Sequence, residues 1–400
     1  MGTPPGKGFS LTEYFKEGYI LVCDDNSSLR QTIRSMARQF GVTNIMEVDD
    51  GDNALKVLKR NTDRPCLFVL LDWTMPRLSG LDVVREIRAD NEIGDLPIMM
   101  VTAEADPAQI VRAAEEGING YLTKPFISKV FEQKIQSILE ARANPPAHVR
   151  LLIEADNLLK KGDYDNALLL FEKSLQTKET ARGMVSVGDI HLMRERFDDA
   201  LAMYNGAMRL NARFLKAYSK CAELHLKQGD VDAAVELLQK AIAMSPNSPD
   251  RLIALGNLYI KQADSESATD AFNKAVKLEP KTGKQIVDEL LQSGNNGFAE
   301  TFLKKIGAKI GLDTYYYNRM GIALRKQGKW KEAVAEYQEA IRLDAKDENV
   351  YYNMGKAYQE GKEYTAAIRC LNTALELRPG KKEFRDALEA LEKLSMNSRY

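Results

Sequence analysis

The chain predicts two architectures in series: an α/β domain built on a doubly wound, five-stranded parallel sheet, then an all-α solenoid. Two observations carry this. Through residues 18–140 short apolar runs alternate with helical stretches, and from about residue 148 onward small and bulky residues recur at fixed phase in units of about 34 residues. In the first part "YILVC" (19–23), "NIMEV" (44–48), "CLFVLL" (66–71), "PIMMVT" (97–102) and "GYLT" (120–123) read as strands. The segments "SLRQTIRSMARQF", "DNALKVLKR", "LDVVREIRAD", "DPAQIVRAAEEG" and "SKVFEQKIQSILEAR" read as the helices between and after them. Five such alternations predict a parallel, doubly wound sheet, with 2-1-3-4-5 the order expected for it.

A chain of 400 residues exceeds one ordinary core, and 44% hydrophobic with 28% charged residues is the balance of a soluble protein. No apolar run reaches the length of about 18 residues that spans a membrane, and "MGTPPGKGFSLTEYF" lacks a basic-then-apolar leader, so the expected location is the cytoplasm without membrane insertion. Residues 1–145 carry 17 Lys/Arg against 21 Asp/Glu and the remainder 39 against 36. Neither half has the basic excess of a nucleic-acid binder, which leaves proteins as the expected partners. Cys23, Cys66, Cys221 and Cys370 are widely spaced, without a CxxC pair; three read as core packing, with Cys66 at a strand start. His148, His191 and His225 are separated by whole repeats and form no ligand set.

After "ANPPAHV" (143–149), units begin near residues 148, 181, 215, 249, 280, 314 and 348. In the last, Gly355, Tyr358, Tyr364, Ala367, Ala374 and Pro379 fall at positions 8, 11, 17, 20, 27 and 32. Small residues at positions 8 and 20 let paired helices approach, while an aromatic at 24 and the alanine at 27 fit the next unit. This pattern resembles tetratricopeptide (TPR) repeats, seven of them. The fifth is degenerate, with Val287 where a small residue belongs and a glycine-rich turn from Gly294 to Gly297. The resemblance implies a groove, lined by first helices, that holds a protein or peptide. Groove candidates are Asn318, Arg325, Tyr352, Asn353 and Lys356. From Lys382 the amphipathic "EFRDALEALEKL" reads as a capping helix. The expected boundaries are an extension at 1–17, the α/β domain at 18–141, a linker at 142–147, the repeats at 148–381, and the cap and tail at 382–400.

The α/β domain places chemistry at its strand ends. Asp24 and Asp25 follow the first strand, Asp72 the third, Thr102 ends the fourth and Lys124 follows the fifth. In an open parallel sheet these positions converge on one rim. Three carboxylates there need a cation, and hard oxygen ligands suit Mg²⁺. With a hydroxyl and an ammonium beside it, Asp72 is equipped to accept a phosphoryl group, with Lys124 neutralising the transferring oxygens and Thr102 hydrogen-bonding them. Taken alone, Asp25 with Asn26, Ser27 and Ser28 reads equally well as a helix cap. The acidic "VDDGDNA" (48–54) reads as the cap of the second helix.

With "DD" at 24–25, "DWTMPRLSGLD" at 72–82, "MMVTAEAD" at 99–106 and "GYLTKPF" at 120–126, the domain resembles the receivers of two-component response regulators, which have a flavodoxin-like fold. The resemblance implies a cis Lys124–Pro125 bond, a backbone carbonyl of Thr74 on the metal, and Tyr121 turning inward as Thr102 moves. It also implies tuning of phosphoryl lifetime by Thr74 and Glu104. The expected protein is a response regulator, not an enzyme beyond self-catalysed phosphorylation and dephosphorylation. It would be phosphorylated on Asp72 by a histidine kinase or phosphotransfer protein, would signal by protein binding, and is open to phosphorylation-dependent self-association. The alternative is a phosphate sink, or an unphosphorylated scaffold whose two parts serve as binding modules.

Overall fold

The computed structural model describes residues 10–60, 64–90, 92–103 and 107–397. The chain divides into two compact units, one running to Asn247 and the other beginning at Ser248. The division falls within the repeats.

In the first unit β1 (Tyr19–Cys23), β2 (Ile45–Val48), β3 (Cys66–Asp72), β4 (Ile98–Thr102) and β5 (Gly120–Thr123) form one parallel sheet of order β2-β1-β3-β4-β5. Its register pairs Ile20 with Ile45, Val69 with Ile98 and Met99 with Gly120. Because successive side chains point to opposite faces, the continuous apolar runs fill two cores. On one face Ile20, Val22, Phe68, Leu70 and Met99 pack with Ile33 and Ala37 of α2 (Ser27–Gln39) and Phe131, Ile135 and Leu139 of α6 (Ser128–Ala143). On the other, Leu21, Cys23, Val69, Leu71 and Met100 pack with α3 (Gly51–Leu58) and α4 (Gly80–Ala89). Burying each large apolar side chain contributes about 2 kcal/mol, so both sheet faces resist slippage and the strand ends stay in register. The remaining helix, α5, is Pro107–Glu115.

The segment read as an extension takes part in this core. Residues Leu11–Tyr14 form α1, capped by Ser10, and Leu11 and Phe15 are buried against the α2 and α6 side. Asn44 Nδ2 donates to the Phe15 carbonyl at 2.9 Å, and Thr12 Oγ1 donates to that of Phe40 at 3.2 Å. A boundary at residue 18 follows the first strand's pattern, whereas two apolar residues in a short polar stretch give little periodicity to read.

Seven helical pairs follow among the described residues. In the first unit they are α7 (Ala147–Lys160) with α8 (Tyr164–Thr177), α9 (Ala181–Met193) with α10 (Phe197–Leu210), and α11 (Leu215–Lys227) with α12 (Val231–Met244). The second unit holds α13 (Pro249–Lys261) with α14 (Ser265–Leu278), α15 (Thr282–Gln292) with α16 (Asn296–Ile310), and α17 (Thr314–Arg325) with α18 (Trp330–Leu343). It ends with α19 (Glu348–Glu360), α20 (Tyr364–Leu377) and α21 (Lys382–Asn397). The small-to-large rule is visible at Gly321, where an added Cβ would lie 2.4 Å from the Tyr337 ring. That contact exists because glycine has nothing to place there.

The degenerate fifth repeat is a true helical pair with a branched core: Val287, Leu303 and Ile306 are all fully buried. Its second helix also carries Glu300, which accepts from Lys304 at 2.6 Å, from Lys329 at 2.9 Å and from Gln327 at 3.0 Å. The hydrogen bonds from Lys304 and then Lys329 hold the Glu300 carboxyl down to about 2, against burial. Its stabilising contribution is therefore complete above the ordinary value of 4.5 and is lost as pH falls from there to about 2. Glu300→Gln is expected to cost about 1 to 2 kcal/mol at pH 7. In thermal unfolding curves, the gap between variant and parent should close as the pH approaches 2.

Candidate functional site

The carboxyl ends of β1, β3, β4 and β5 form one rim, and the predicted residues meet on it. Asp24 follows β1 and is 2% exposed; its Oδ1 accepts from the Asn26 amide at 2.8 Å, and its carbonyl accepts from Arg30 Nη1 at 2.6 Å. Asn26 caps α2, accepting from the amides of Ser28 and Leu29. This decides the open reading of Asp25: it does not cap the helix, and its carboxylate stays exposed at the rim. One oxygen each from Asp24, Asp25 and Asp72 lies within 4.8 Å of the others, and this is the metal-competent group found among the described residues.

Asp72 ends β3 and is 8% exposed. Lys124, just past β5, donates to Asp72 Oδ1 at 2.8 Å and to Asp24 Oδ2 at 2.9 Å. The Lys124–Pro125 bond is cis, and the Lys124 amide donates to the Thr102 carbonyl at 2.7 Å. Thr102 is buried at the end of β4. Burial pushes the Asp72 carboxyl up and the neighbouring Asp24 adds to this, while the Lys124 hydrogen bond opposes it. For Lys124, burial would lower the ammonium, but its bonds to Asp72 and Asp24 outweigh that and raise it. One ammonium faces three carboxylates, so the rim retains an excess of negative charge on oxygen donors. That set fits a divalent cation such as Mg²⁺.

Thr74 is exposed in the loop after β3, and Glu104 lies outside the described residues. Tyr121 is half-buried against the α3/α4-side core, with the Lys134 ammonium 5.6 Å from its ring centre. The acidic turn behaves as read: Asp50 caps α3, accepting from the Asn53 amide at 2.8 Å. Cys23 is buried, with Sγ 3.3 Å from Met75 Sδ, and burial pushes its thiol up to about 12, consistent with packing. The sequence reading missed two residues, Arg30, which holds the Asp24 carbonyl, and Arg77, which pairs with Asp50. Arg30 stands in none of the quoted motifs, and Arg77 lies within the 72–82 stretch without its spacing pointing to Asp50.

In the repeats, four of the five groove candidates contact a neighbouring helix, and Lys356 lies against Tyr352 on its own helix. Asn353 Nδ2 donates to Asn318 Oδ1 at 2.9 Å, and Asn318 is buried. Arg325 pairs with Glu360. Tyr352 is 8% exposed, donates to Glu383 Oε1 at 2.7 Å and stacks on Phe384 with ring centres 4.6 Å apart. The Lys356 ammonium lies 4.2 Å from the Tyr352 ring centre, and burial lowers it. Tyr352 is thus a packing residue that ties α19 to α21. Position within a repeat selects a helix face, but only the adjacent helix shows whether that face is already covered.

A parallel five-stranded sheet with an acid triad and a lysine on its carboxyl rim defines a receiver domain. Residues 20–136 match the response regulator receiver domain family. Tetratricopeptide repeat families match 154–213, 188–249, 225–287, 321–361 and 348–381. Chemotaxis protein CheY of Pseudomonas aeruginosa is 45% identical over 122 residues, 30% of this chain and 95% of that protein. Chemotaxis protein CheY-3 of Vibrio cholerae is 42% identical over 121 residues, 30% of this chain and 91% of that protein. Among solved structures, a tetratricopeptide repeat protein from Parabacteroides merdae aligns with 17% identity and a TM-score of 0.38, covering 61% of this chain and 98% of that one. The chain belongs to the response regulator receiver family through its N-terminal domain, and it continues into TPR repeats. Among the described residues no helix is long and apolar enough to cross a membrane.

The rim depends on one close approach. Gly80 starts α4, its amide donating to the Trp73 carbonyl at 3.1 Å, and an added Cβ would lie 2.0 Å from the Asp72 carbonyl oxygen. Gly80→Ala must therefore push α4 away from Asp72. The expected loss is about 2 kcal/mol in chemical unfolding, with the Asp72 region losing amide-exchange protection first.

Proposed function

We propose that the protein is a phosphorylation-controlled response regulator that accepts a phosphoryl group on Asp72 and signals through protein binding by its repeats. The observation that carries this is the pair of bonds from Lys124 to Asp72 and Asp24 on the carboxyl rim. In this reading an Asp72 oxygen attacks phosphorus as the bond from phosphorus to the donor's imidazole nitrogen breaks, leaving an acyl phosphate on Asp72 and a free imidazole on a histidine kinase or phosphotransfer protein. Asp24, Asp25, Asp72 and the carbonyl of Thr74 would hold Mg²⁺, which neutralises charge on the transferring oxygens. Lys124 supplies a fixed positive charge, and the Thr102 hydroxyl donates to the attached phosphoryl group.

Thr102 and Tyr121 stand on adjacent strands, which supports the expectation that a change at Asp72 is felt on the α5, β5 and α6 face. The repeats supply a surface for a protein or peptide, and self-association on phosphorylation is a further output of the same face. The chain is then a cytoplasmic phosphoacceptor that catalyses only its own phosphorylation and dephosphorylation, not an enzyme acting on other substrates. Intact mass after incubation with Mg²⁺ and acetyl phosphate tests the reading. One added phosphoryl group on the unsubstituted protein, and none on Asp72→Asn, is the expected result. No addition to either, with the fold shown intact and a panel of histidine kinases also tried, overturns it.

A further inference from the structure

Resting on that reading of a Mg²⁺ site, we propose that Arg77 is a positioning residue, whose ion pair with Asp50 holds the 73–79 loop so that Thr74 faces the metal. Arg77 has φ of 66°, a left-handed conformation that disfavours arginine. Its guanidinium pairs with Asp50 and lies 3.7 Å from Asp52 Oδ2. Asp50 is 2% exposed, and its carboxylate also accepts from the amide and side chain of Asn53. A buried carboxylate needs a counter-charge, and Arg77 reaches it from the loop that follows Asp72.

The loop is also tied elsewhere. Leu78 presses on the start of α3, where a Cβ on Gly51 would lie 2.8 Å from the Leu78 carbonyl oxygen. At the other end the Trp73 amide donates to the Val101 carbonyl at 3.1 Å, and Met75 is buried against Cys23 beside Asp24. Between these anchors Thr74 is exposed. The Arg77–Asp50 pair therefore joins the cap of α3 to the segment whose carbonyl would meet the metal. If a left-handed turn were all this position required, glycine would serve with less strain.

The test counts Mn²⁺ bound to the full chain from loss of the free-ion electron paramagnetic resonance signal, with Mg²⁺ as competitor. The proteins are the unsubstituted chain, Asp25→Asn, Arg77→Gly, Arg77→Lys, and Arg77→Gly combined with Asp50→Asn. Arg77→Gly relieves the backbone while removing the guanidinium, and it should bind about tenfold more weakly. Arg77→Lys should recover part of the affinity. The combined variant no longer buries an unpaired carboxylate, and it should remain weak while folded by circular dichroism. Unchanged affinity in Arg77→Gly overturns the proposal, as does full affinity in the combined variant, which also decides the matter should Arg77→Gly fail to fold. If the unsubstituted chain binds Mn²⁺ no better than Asp25→Asn, the metal reading fails and this inference with it, an outcome distinct from the other two.

Discussion

Lys124 reaching both Asp24 and Asp72 is the interaction on which the α/β domain's site depends. Two carboxylates buried at the ends of adjacent strands repel each other in a medium of low dielectric, and each loses water. A single ammonium between them, donating to both, removes part of that cost. Asp72 is nonetheless pushed upward, because burial and Asp24 act against the one lysine. A site left short of positive charge is prepared for cations.

Much of the surrounding backbone serves this arrangement. The Lys124 amide's tie to the Thr102 carbonyl couples β4 and β5 where their functional side chains emerge. Gly80 lets α4 begin directly above the Asp72 carbonyl. Met75 fills the space beside Cys23, and the turn at Met75 and Pro76 leads the chain away from the rim while keeping Thr74 at the surface. An apolar strand that ends in a carboxylate followed by a sharp turn is a device for fixing a charged group to a rigid frame.

The repeats use a different balance. Small residues opposite bulky ones bring paired helices together, as with Gly321 and Tyr337, while polar ties link successive pairs, as with Asp288 to Arg319 and Asn318 to Asn353. The fifth repeat departs from the small-residue rule at Val287, yet it keeps its helices by burying branched side chains and by drawing Lys304, Gln327 and Lys329 onto Glu300. Packing volume and charge compensate each other there, which is why the residue pattern weakens while the helical pair persists.

The five strands, the seven helical pairs and the convergence of Asp24, Asp25, Asp72, Thr102 and Lys124 were legible in the chain, because each rests on local periodicity or on the rule that parallel strands present their carboxyl ends together. Buried groups whose partners lie far along the chain were not. Leu11 and Phe15 join the core through contacts with α2 and α6, and Arg77 finds Asp50 across two loops. The five groove candidates lie on first helices as their phase requires, but Asn318 and Tyr352 are buried, whereas Arg325, Asn353 and Lys356 stay partly exposed. Periodicity specifies which face a residue takes. Whether that face meets solvent, a counter-charge or another helix depends on elements distant in sequence, and is settled only when they pack.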